Sequence, residues 1–228
     1  MNKLKLETKN ICIKDNKDLI LEIDDDTELN IDVQENIKAN ILFLIKSSSV
    51  KIQVNLLDNS DVTINQLGIN SSIDYNVYLN NNSSLLCIDS ILSKVDSINH
   101  IKITHQGNFS ETRFYTNGIN LENKKLYFLL DGIIEQDKNG IFLEENSKIM
   151  NLSDGDSKIL PNLIVHTKEV IANHSAFIGT FSKDDINYLM SRGIDLDNCK
   201  KMLIKSILLS KMELDTTKFL EEISFNMN

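Results

Sequence analysis

The sequence predicts a mainly β protein, in which an extended body of short strands is followed by a small helical tail. Through most of the chain, apolar residues alternate with polar ones at a period of two, which is typical of half-buried strands. Clusters of Asn, Asp and Ser separate these runs, and near residue 181 the apolar spacing changes to that of helices. We therefore predict a β core over residues 1–181 and a helical domain over residues 182–228.

The predicted strands of the body are short, rich in β-branched residues and bounded by polar segments. The alternation is clearest over residues 51–56 and 61–67. The predicted strands are 19–23, 29–33, 40–45, 50–56, 62–67, 75–79, 84–88, 98–104, 112–115, 125–130, 140–143 and 162–165. No stretch of twelve residues in the body carries a clean helical apolar face, so we expect these strands to follow one another without helices between them.

The turns of the body are built from Asn, Asp and Ser, which tolerate the left-handed conformation and bond their own backbone. Such clusters occur at 58–60, 70–72, 80–84 and 137–140. An antiparallel sandwich would usually carry hairpin dipeptides such as Asn-Gly, yet Gly68 and Gly107 are the only glycines in the first 116 residues. Asn-rich corners between strands of β-branched residues therefore favour a β-solenoid of stacked rungs. The repeat is too irregular to define a period.

The tail is predicted to hold two helices and a further helical turn. Ser182 is a candidate N-cap for the first helix, and Gly193 supplies a left-handed residue at its end. Asp195 is a candidate N-cap for the second helix, whose apolar arc is wider than the stripe of an ordinary surface helix. The third turn, capped by Asp215, would present Phe219, Leu220 and Ile223.

The wide apolar arc of the second helix has two interpretations. In the first, the helices bury each other and pack on the β-body. In the second, one side packs on the body while the other is a docking face for a partner, as in helix-in-groove recognition. The two interpretations are compatible in part.

Composition limits the classes of function. The chain has 228 residues, a formal net charge of −9 and a pI of about 5.0, which argues against nucleic-acid and anionic-membrane binding. The longest apolar run, residues 41–45, is far shorter than a membrane span, and the N-terminus lacks the apolar region of a signal peptide. Three widely spaced cysteines form no disulfide or zinc motif. We expect a soluble cytoplasmic protein.

A search for catalytic motifs finds none of the common ones: the sequence lacks phosphate-binding loops, the zinc-protease helix, the nucleophile elbow and the dinucleotide fingerprint. The acidic segment 22–28 lacks the spacing of a calcium loop and is interpreted as a solvated turn. The histidines, His100, His105, His166 and His174, are each expected to be hydrogen-bonded structural residues on spacing alone. We predict that the chain is not an enzyme.

One segment resembles a known family. Residues 171–194, IANHSAFIGTFSKDDINYLMSRGI, are similar to the C-terminal signature of the SufB/SufD family, in which a His, small residues and a Gly precede an acidic helix start. The most specific part is the block 188–194, YLMSRGI. The resemblance extends upstream through Leu152-Ser153 and 161–165 and downstream through 199–209, and it covers roughly residues 150–212.

The resemblance implies a right-handed parallel β-helix with a C-terminal helical domain, acting as a scaffold in iron–sulfur cluster assembly. By position, His174 matches a histidine near the subunit junction of SufD-like members. Asn146 stands where SufB-like members place a cysteine, so this chain is nearer SufD. Members generally carry an N-terminal helical region that this sequence lacks, which implies a member shortened at its N-terminus.

The resemblance also implies partners and cargo. The tail would grip a SufC-type ABC ATPase, and we take Tyr188, Arg192, Leu203 and Ile207 as its docking residues. The last rungs would pair with a SufB-like sister subunit or with a second copy as a homodimer. No cofactor is expected to bind tightly to this chain alone, since cluster sites need several thiolates. A transient iron–sulfur cluster in the complex is expected, and the metal ligands stay undefined.

Two other functions remain open at this point. The first is a relic or regulatory β-helix protein that keeps the fold and the ATPase docking but takes no part in cluster chemistry. The second is a carbohydrate-active β-helix enzyme, which would use paired carboxylates across a groove. Aromatic residues make up only 6% of the chain and tryptophan is absent, so few side chains are suited to stack against sugar rings.

Overall fold

The structure, a computed structural model, describes residues 2–5, 9–212 and 221–223, with only the backbone of residues 2–5. The described residues form fifteen strands and two helices. The elements are β1 Asn2–Lys5, β2 Asn10–Ile13, β3 Lys17–Ile23, β4 Thr27–Val33, β5 Lys38–Lys46, β6 Ser49–Leu56, β7 Asp61–Ile69, β8 Ser72–Leu79, β9 Ser84–Ser93, β10 Ser97–His105, β11 Glu111–Asn120, β12 Lys125–Ile134, β13 Ile141–Asn151, β14 Asp156–Val165, β15 Val170–Thr180, α1 Lys183–Ser191 and α2 Leu196–Leu208. Residues 221–223 are also helical.

The strands alternate between two parallel sheets. Sheet A contains the odd-numbered strands in the order β1-β3-β5-β7-β9-β11-β13-β15, and sheet B contains the even-numbered strands in the order β14-β12-β10-β8-β6-β4-β2. Each strand pairs in parallel with the strand two positions along the chain. One strand from each sheet therefore makes one coil of a solenoid. The parallel β-helix is confirmed, and the antiparallel sandwich is excluded for this part of the chain.

The length of the coil grows along the chain. Near the start, Leu19 pairs with Ile41, 22 residues later. Towards the other end, Glu111 pairs with Phe142, 31 residues later. The drift explains why no fixed repeat is visible in the sequence, since hydrogen bonding fixes the register of the strands while the turns are free to lengthen.

Asparagines turn the corners, as the sequence predicted. Asn59, Asn70 and Asn82 have φ angles of 58°, 52° and 53°, and Asp137 has a φ of 60°. The amide of Asn59 donates to the carbonyl of Asn81 one coil further on, at 2.9 Å. Since Asn and Asp adopt this left-handed conformation at low cost, the corners need few glycines.

The core fills the lumen between the two sheets. Inward-facing Val, Ile, Leu and Phe side chains from almost every strand form one continuous buried cluster, as alternation along each strand requires. Phe43 packs edge-on against Tyr75, with ring centroids 6.3 Å apart. All three cysteines are free thiols; Cys87 and Cys199 are buried and Cys12 is exposed. The fold is held by apolar packing and strand ladders.

Strands β13 and β14 are longer than predicted, and β15 is a strand that the sequence did not predict. The alternation predicted strands at 140–143 and 162–165, whereas β13 spans Ile141–Asn151 and β14 spans Asp156–Val165. The alternation predicted no separate strand over Val170–Thr180, where the structure has β15. Polar residues at inward positions, Glu145 and Ser147 on β13, break the apolar alternation on which the prediction depended.

The helical tail begins where predicted. The hydroxyl of Ser182 accepts from the amide of Asp184, the carboxylate of Asp195 accepts from the amide of Asn198, and Gly193 has a φ of 85°. Both caps and the glycine stop are confirmed. Residues 215, 219 and 220 of the predicted third turn lie outside the described residues, but Ile223 is buried. No described helix is long and apolar enough to cross a membrane.

The tail packs on the outer face of sheet A. Ile204, Leu208 and Ile223 are buried against an apolar patch on that face. The patch consists of Leu42, Leu44, Leu67, Ile69, Leu92, Ile119 and Met150. Lys46 on β5 and Glu222 form an ion pair of 2.6 Å, and the hydroxyl of Ser90 donates to the carbonyl of Leu208 at 2.6 Å.

Candidate functional site

The β-helix is open at the end nearest the tail. Strand β15 is the last strand of sheet A and β14 the last strand of sheet B, so within the described residues neither has a partner on its outer edge. An exposed parallel edge presents unpaired backbone amides and carbonyls, which other strands can bind. This end of the solenoid can therefore be extended by another chain.

Apolar side chains are exposed at the same end. Five of the twelve exposed large hydrophobic residues in the described part of the chain lie on β14 and β15, and four more lie on the tail. The five are Leu160, Val165, Ile171, Phe177 and Ile178. Because monomeric surfaces rarely expose apolar groups in such concentration, an open edge together with these side chains has the character of an interaction surface.

His174 lies on β15 in a row that faces the lumen. It pairs with Glu145 on β13, which pairs with Phe114 on β11 and then with Cys87 on β9. Parallel partners direct their side chains to the same face, and Glu145, Phe114 and Cys87 are all buried. His174, which is exposed, therefore ends this inward row at the mouth of the lumen.

The fold does not bring Cys87 to His174. The two residues lie three strand spacings apart, about 14 Å along the sheet, with Phe114 and Glu145 between them. Asn146, at the position where SufB-like members have cysteine, bonds Glu144 and Ser175. Within the described residues, no group of three or more His, Cys, Asp and Glu side chains could hold a metal ion.

Glu145 is a buried acid directly beside His174 in the ladder. Burial raises the pKa of Glu145 to about 7, and the negative charge of Asp131 acts in the same direction. Its Oε2 atom has no hydrogen-bond partner among the described residues. A Cβ atom at Gly132 would lie 2.7 Å from Oε1, so the missing side chain of Gly132 makes room for the carboxyl group. This acid can hold or release a proton near neutral pH.

A second buried acid, Asp89, lies deeper in the lumen. It accepts a hydrogen bond of 2.6 Å from Gln66 on the neighbouring strand. Burial raises the pKa of Asp89 to about 7, and the Gln66 hydrogen bond offsets this only in part. Further along the same row, the hydroxyl of Thr116 donates to Ser147 at 2.5 Å. A line of polar side chains thus runs through the apolar core towards the open end.

Sequence reasoning did not identify Glu145 or Asp89 as site residues. The signal was present, since a carboxylate at an inward position of an alternating strand is costly unless it is protonated or paired. This signal can be used only when the ends of the strand are known and when it is known which residues face the lumen. Because the predicted strand ended at residue 143, Glu145 lay outside it.

Two of the other histidines have structural contacts. His100 lies 2.8 Å from Asp131 on the outer face of sheet B, and this contact lowers the pKa of the aspartate against the opposing effect of partial burial. His105 is buried and lies 2.7 Å from the hydroxyl of Ser110, and burial lowers its pKa to about 4. Both contacts agree with the structural roles favoured by the sequence. Within the acidic segment 22–28, residues 24–26 form an exposed turn, and the two ends of the segment belong to β3 and β4.

The predicted docking residues of the tail fall into two groups. Tyr188 and Arg192 are exposed and lie together, with the guanidinium 5.2 Å from the ring centroid. Ile207, by contrast, is half-buried and packs against the patch on sheet A. Leu203 is also half-buried. The exposed apolar side chains of the tail are Tyr188, Met190, Leu196 and Met202.

Comparison with known proteins gives two matches. A family model described as the SufBD core domain of SUF-system FeS cluster assembly matches residues 35–207. The iron–sulfur cluster assembly protein SufD of Bacillus subtilis (strain 168) is 29% identical over 110 residues. The aligned stretch covers 47% of this chain and 25% of that relative, so the chain spans about a quarter of the length of the curated relative that it matches.

Proposed function

Because the chain belongs to the SufBD core domain family of the SUF system of FeS cluster assembly, we propose that it is a SufD-like scaffold subunit. In this role it holds partner proteins together while a cluster forms and performs no catalysis of its own. The observation that carries the proposal is the open end of the β-helix, where unpaired strand edges, exposed apolar side chains and His174 occur together. We place the complex in the cytoplasm.

The open end is the surface for a second subunit. A SufB-like sister or another copy of this chain would add its own strands to β14 and β15 and cover Leu160, Ile171 and Phe177. Backbone hydrogen bonds would supply the alignment and the apolar side chains would supply most of the affinity. His174 would then lie at the junction between the two subunits.

The tail is the surface for a SufC-type ABC ATPase. One side of α2 packs on the β-body through Ile204 and Leu208. The remaining apolar side chains of the tail are free to pack into a groove on the ATPase, and the stacked pair of Tyr188 and Arg192 provides a rigid polar and aromatic contact. A movement of the ATPase would reach the open end through the short connection from β15 to α1.

The cluster is cargo that His174 contacts and that the partner largely holds. With no cysteine beside His174 in the described residues, the thiolates that a cluster requires would come from the second subunit. An imidazole binds iron only when the binding nitrogen is deprotonated. Glu145, with a pKa near neutrality, lies next in the ladder to take up that proton.

The experiment for this proposal is cluster assembly with a His174→Ala variant in the complete complex. We expect the amount of cluster formed from iron and sulfide under anaerobic conditions to fall about tenfold or more, as is typical when a group at a metal site is removed. The matched control is His166→Ala, which removes an exposed histidine from the loop after β14. That variant should assemble cluster as the unmodified chain does.

The alternative role, a relic or regulator without cluster chemistry, is favoured by the distance of Cys87 from His174. It predicts that His174→Ala and His166→Ala both leave cluster assembly unchanged while the complex still forms. That result would remove His174 from the proposed site and leave only the docking role.

A further inference from the structure

A pocket of about 290 Å³ lies on the outer face of sheet A, beside the end of α2. Its floor comes from β11, β13 and β15, on the opposite side of the sheet from the His174 row. Two outward rows cross these strands, and the chain just after α2 closes one side. The lining residues are Tyr115, Asn117, Asn146, Ser147, Lys148, Ser175, Phe177, Ser210 and Lys211.

The charged side chains of the pocket are both cationic. The ammonium group of Lys211 lies 4.0 Å from the ring centroid of Tyr115, and that of Lys148 lies 5.6 Å from the ring centroid of Phe177. Neither lysine forms an ion pair with a described carboxylate. The aromatic rings hold the ammonium groups at the pocket without neutralising them, so the described lining carries two positive charges.

A buried donor without a partner also borders the pocket. Asn117 is 8% exposed, and its side-chain Nδ2 has no hydrogen-bond partner among the described residues. A buried amide donor that finds no acceptor is costly. Its neighbour in the same row, Ser90, is satisfied because its hydroxyl donates to the carbonyl of Leu208. Asn117 thus lies just beyond the cover of α2, where an acceptor from solution can reach the pocket.

The size and charge of the pocket favour a small oxyanion. Its volume lies just below the range of roughly 300–1,000 Å³ that ligand pockets occupy, so a single phosphate or sulfate group fits the pocket better than a nucleotide. The C-terminus of α2 opposes an anion with a charge equivalent to about −0.5. Two ammonium groups outweigh it, and one of the terminal carbonyls is already bonded to Ser90.

We propose that this pocket binds a tetrahedral oxyanion, phosphate or sulfate, between Lys148 and Lys211, with the Asn117 amide as an additional donor. The ligand set consists of the two ammonium groups and this amide, because the hydroxyls of Ser175 and Ser210 already donate to Oδ1 of Asn146 and to the carbonyl of Ile207. The site borders the open end, since Ser175 and Phe177 belong to β15, but it includes none of the exposed apolar side chains of the tail. It does not depend on the proposed scaffold function.

The test is calorimetric titration of the full chain with inorganic phosphate in a buffer of low ionic strength. We expect saturable binding that is weakened about tenfold to a hundredfold by Lys211→Gln or by Lys148→Gln, since each removes a charge-assisted contact. The control, Lys51→Gln, removes an exposed lysine from the outer face of sheet B and should leave the affinity unchanged. The side-chain amide resonance of Asn117 should shift during the titration.

Several results would overturn the site. These are the absence of saturable binding, equal weakening by Lys51→Gln and Lys211→Gln, or an Asn117 resonance that does not move. Sulfate should compete with phosphate, whereas acetate should not. Acetate that binds as tightly as phosphate would contradict the assignment to tetrahedral oxyanions. Lys211 is exposed, so its replacement leaves the fold intact and the comparison remains valid.

Discussion

Replacing Asp89 by Asn is expected to stabilise the protein at pH 8 and to reduce the loss of stability between about pH 4 and pH 7. The carboxyl group of Asp89 is buried, and its pKa rises from 3.8 to about 7 on folding. The folded state therefore binds more protons than the unfolded state between these two values. By linkage, the contribution of Asp89 to the free energy of unfolding falls as the pH rises through this window and is constant above it.

The geometry explains why Asn suits this position. Asp89 accepts from Gln66 through one oxygen, while its other oxygen and Oε1 of Gln66 have no hydrogen-bond partner among the described residues. An amide keeps the acceptor for Gln66, adds a donor and carries no charge. A shift of about three pKa units corresponds to about 4 kcal/mol at most, a large fraction of the stability of a typical domain.

Urea denaturation at pH 5 and at pH 8 measures this effect. The unmodified protein should be less stable at pH 8 than at pH 5. Asp89→Asn should remove most of the share of this loss that comes from Asp89. Glu145 has a pKa raised in the same direction, so part of the loss should remain in Asp89→Asn and should be removed in the double variant with Glu145→Gln. The double variant keeps the opposite contribution of His105, whose lowered pKa makes the free energy of unfolding rise with pH. The control, Asp24→Asn in the exposed turn after β3, should leave the profile unchanged. Parallel profiles for Asp89→Asn and the unmodified protein would contradict a neutral Asp89 in the core.

Replacing Ile204 by Asp is expected to release the tail from the β-body. Ile204 is 2% exposed and packs with Leu208 and Ile223 on the apolar patch of sheet A. An unpaired carboxylate in this contact costs about 3–5 kcal/mol, and the roughly 1.5–3 kcal/mol that burial of the Ile204 side chain contributes is lost as well. We expect α2 to leave the sheet and expose Leu67 and Leu92.

Limited proteolysis and hydrogen exchange measure the release. In Ile204→Asp, cleavage should concentrate after residue 181, while the amides of sheet A remain protected because the lumen is packed independently. The control is Met202→Asp, two residues earlier in the same helix, whose side chain is 48% exposed. It should resist protease like the unmodified chain. If both variants behave alike, the orientation of α2 on the sheet is wrong.

The local features of the sequence predicted the parts of the fold that depend on single residues. Asn59, Asn70 and Asn82 form corners because Asn adopts the left-handed conformation at low cost. This property can be recognised in the sequence without knowing which residues lie on the adjacent coils. Ser182 and Asp195 cap their helices for an equally local reason. These residues determine where the chain turns between coils and where the two helices begin, and the structure agrees with them at these positions.

Features that depend on stacking between coils were harder to predict. The lengths of β13 and β15 follow from pairing with earlier strands, which sustains Glu145, Ser147 and His174 in extended positions despite their polarity. The same stacking sets Glu145 beside His174, although the two residues are 29 positions apart. The residues of a single segment do not show which residues of another coil will lie beside them.

The wide apolar arc of α2 shows why the docking surface could not be predicted from the sequence alone. The sequence shows that both sides of the helix are apolar but not which side faces the body. The structure buries Cys199, Ile204 and Leu208 and leaves Met202 exposed. Of the residues that we predicted to dock the ATPase, Tyr188 and Arg192 are therefore the better probes, since Ile207 also contacts the body.

Co-purification with a SufC-type ABC ATPase tests the central claim, that this chain is a scaffold that docks other proteins. We expect the unmodified chain to co-elute with the ATPase in size-exclusion chromatography, and Met202→Asp combined with Tyr188→Ala to abolish co-elution. The matched control is Ile98→Asp, which changes an equally exposed apolar residue on sheet B and should leave the complex intact. No co-elution of the unmodified chain, or co-elution that survives the double change in the tail, would contradict the claim.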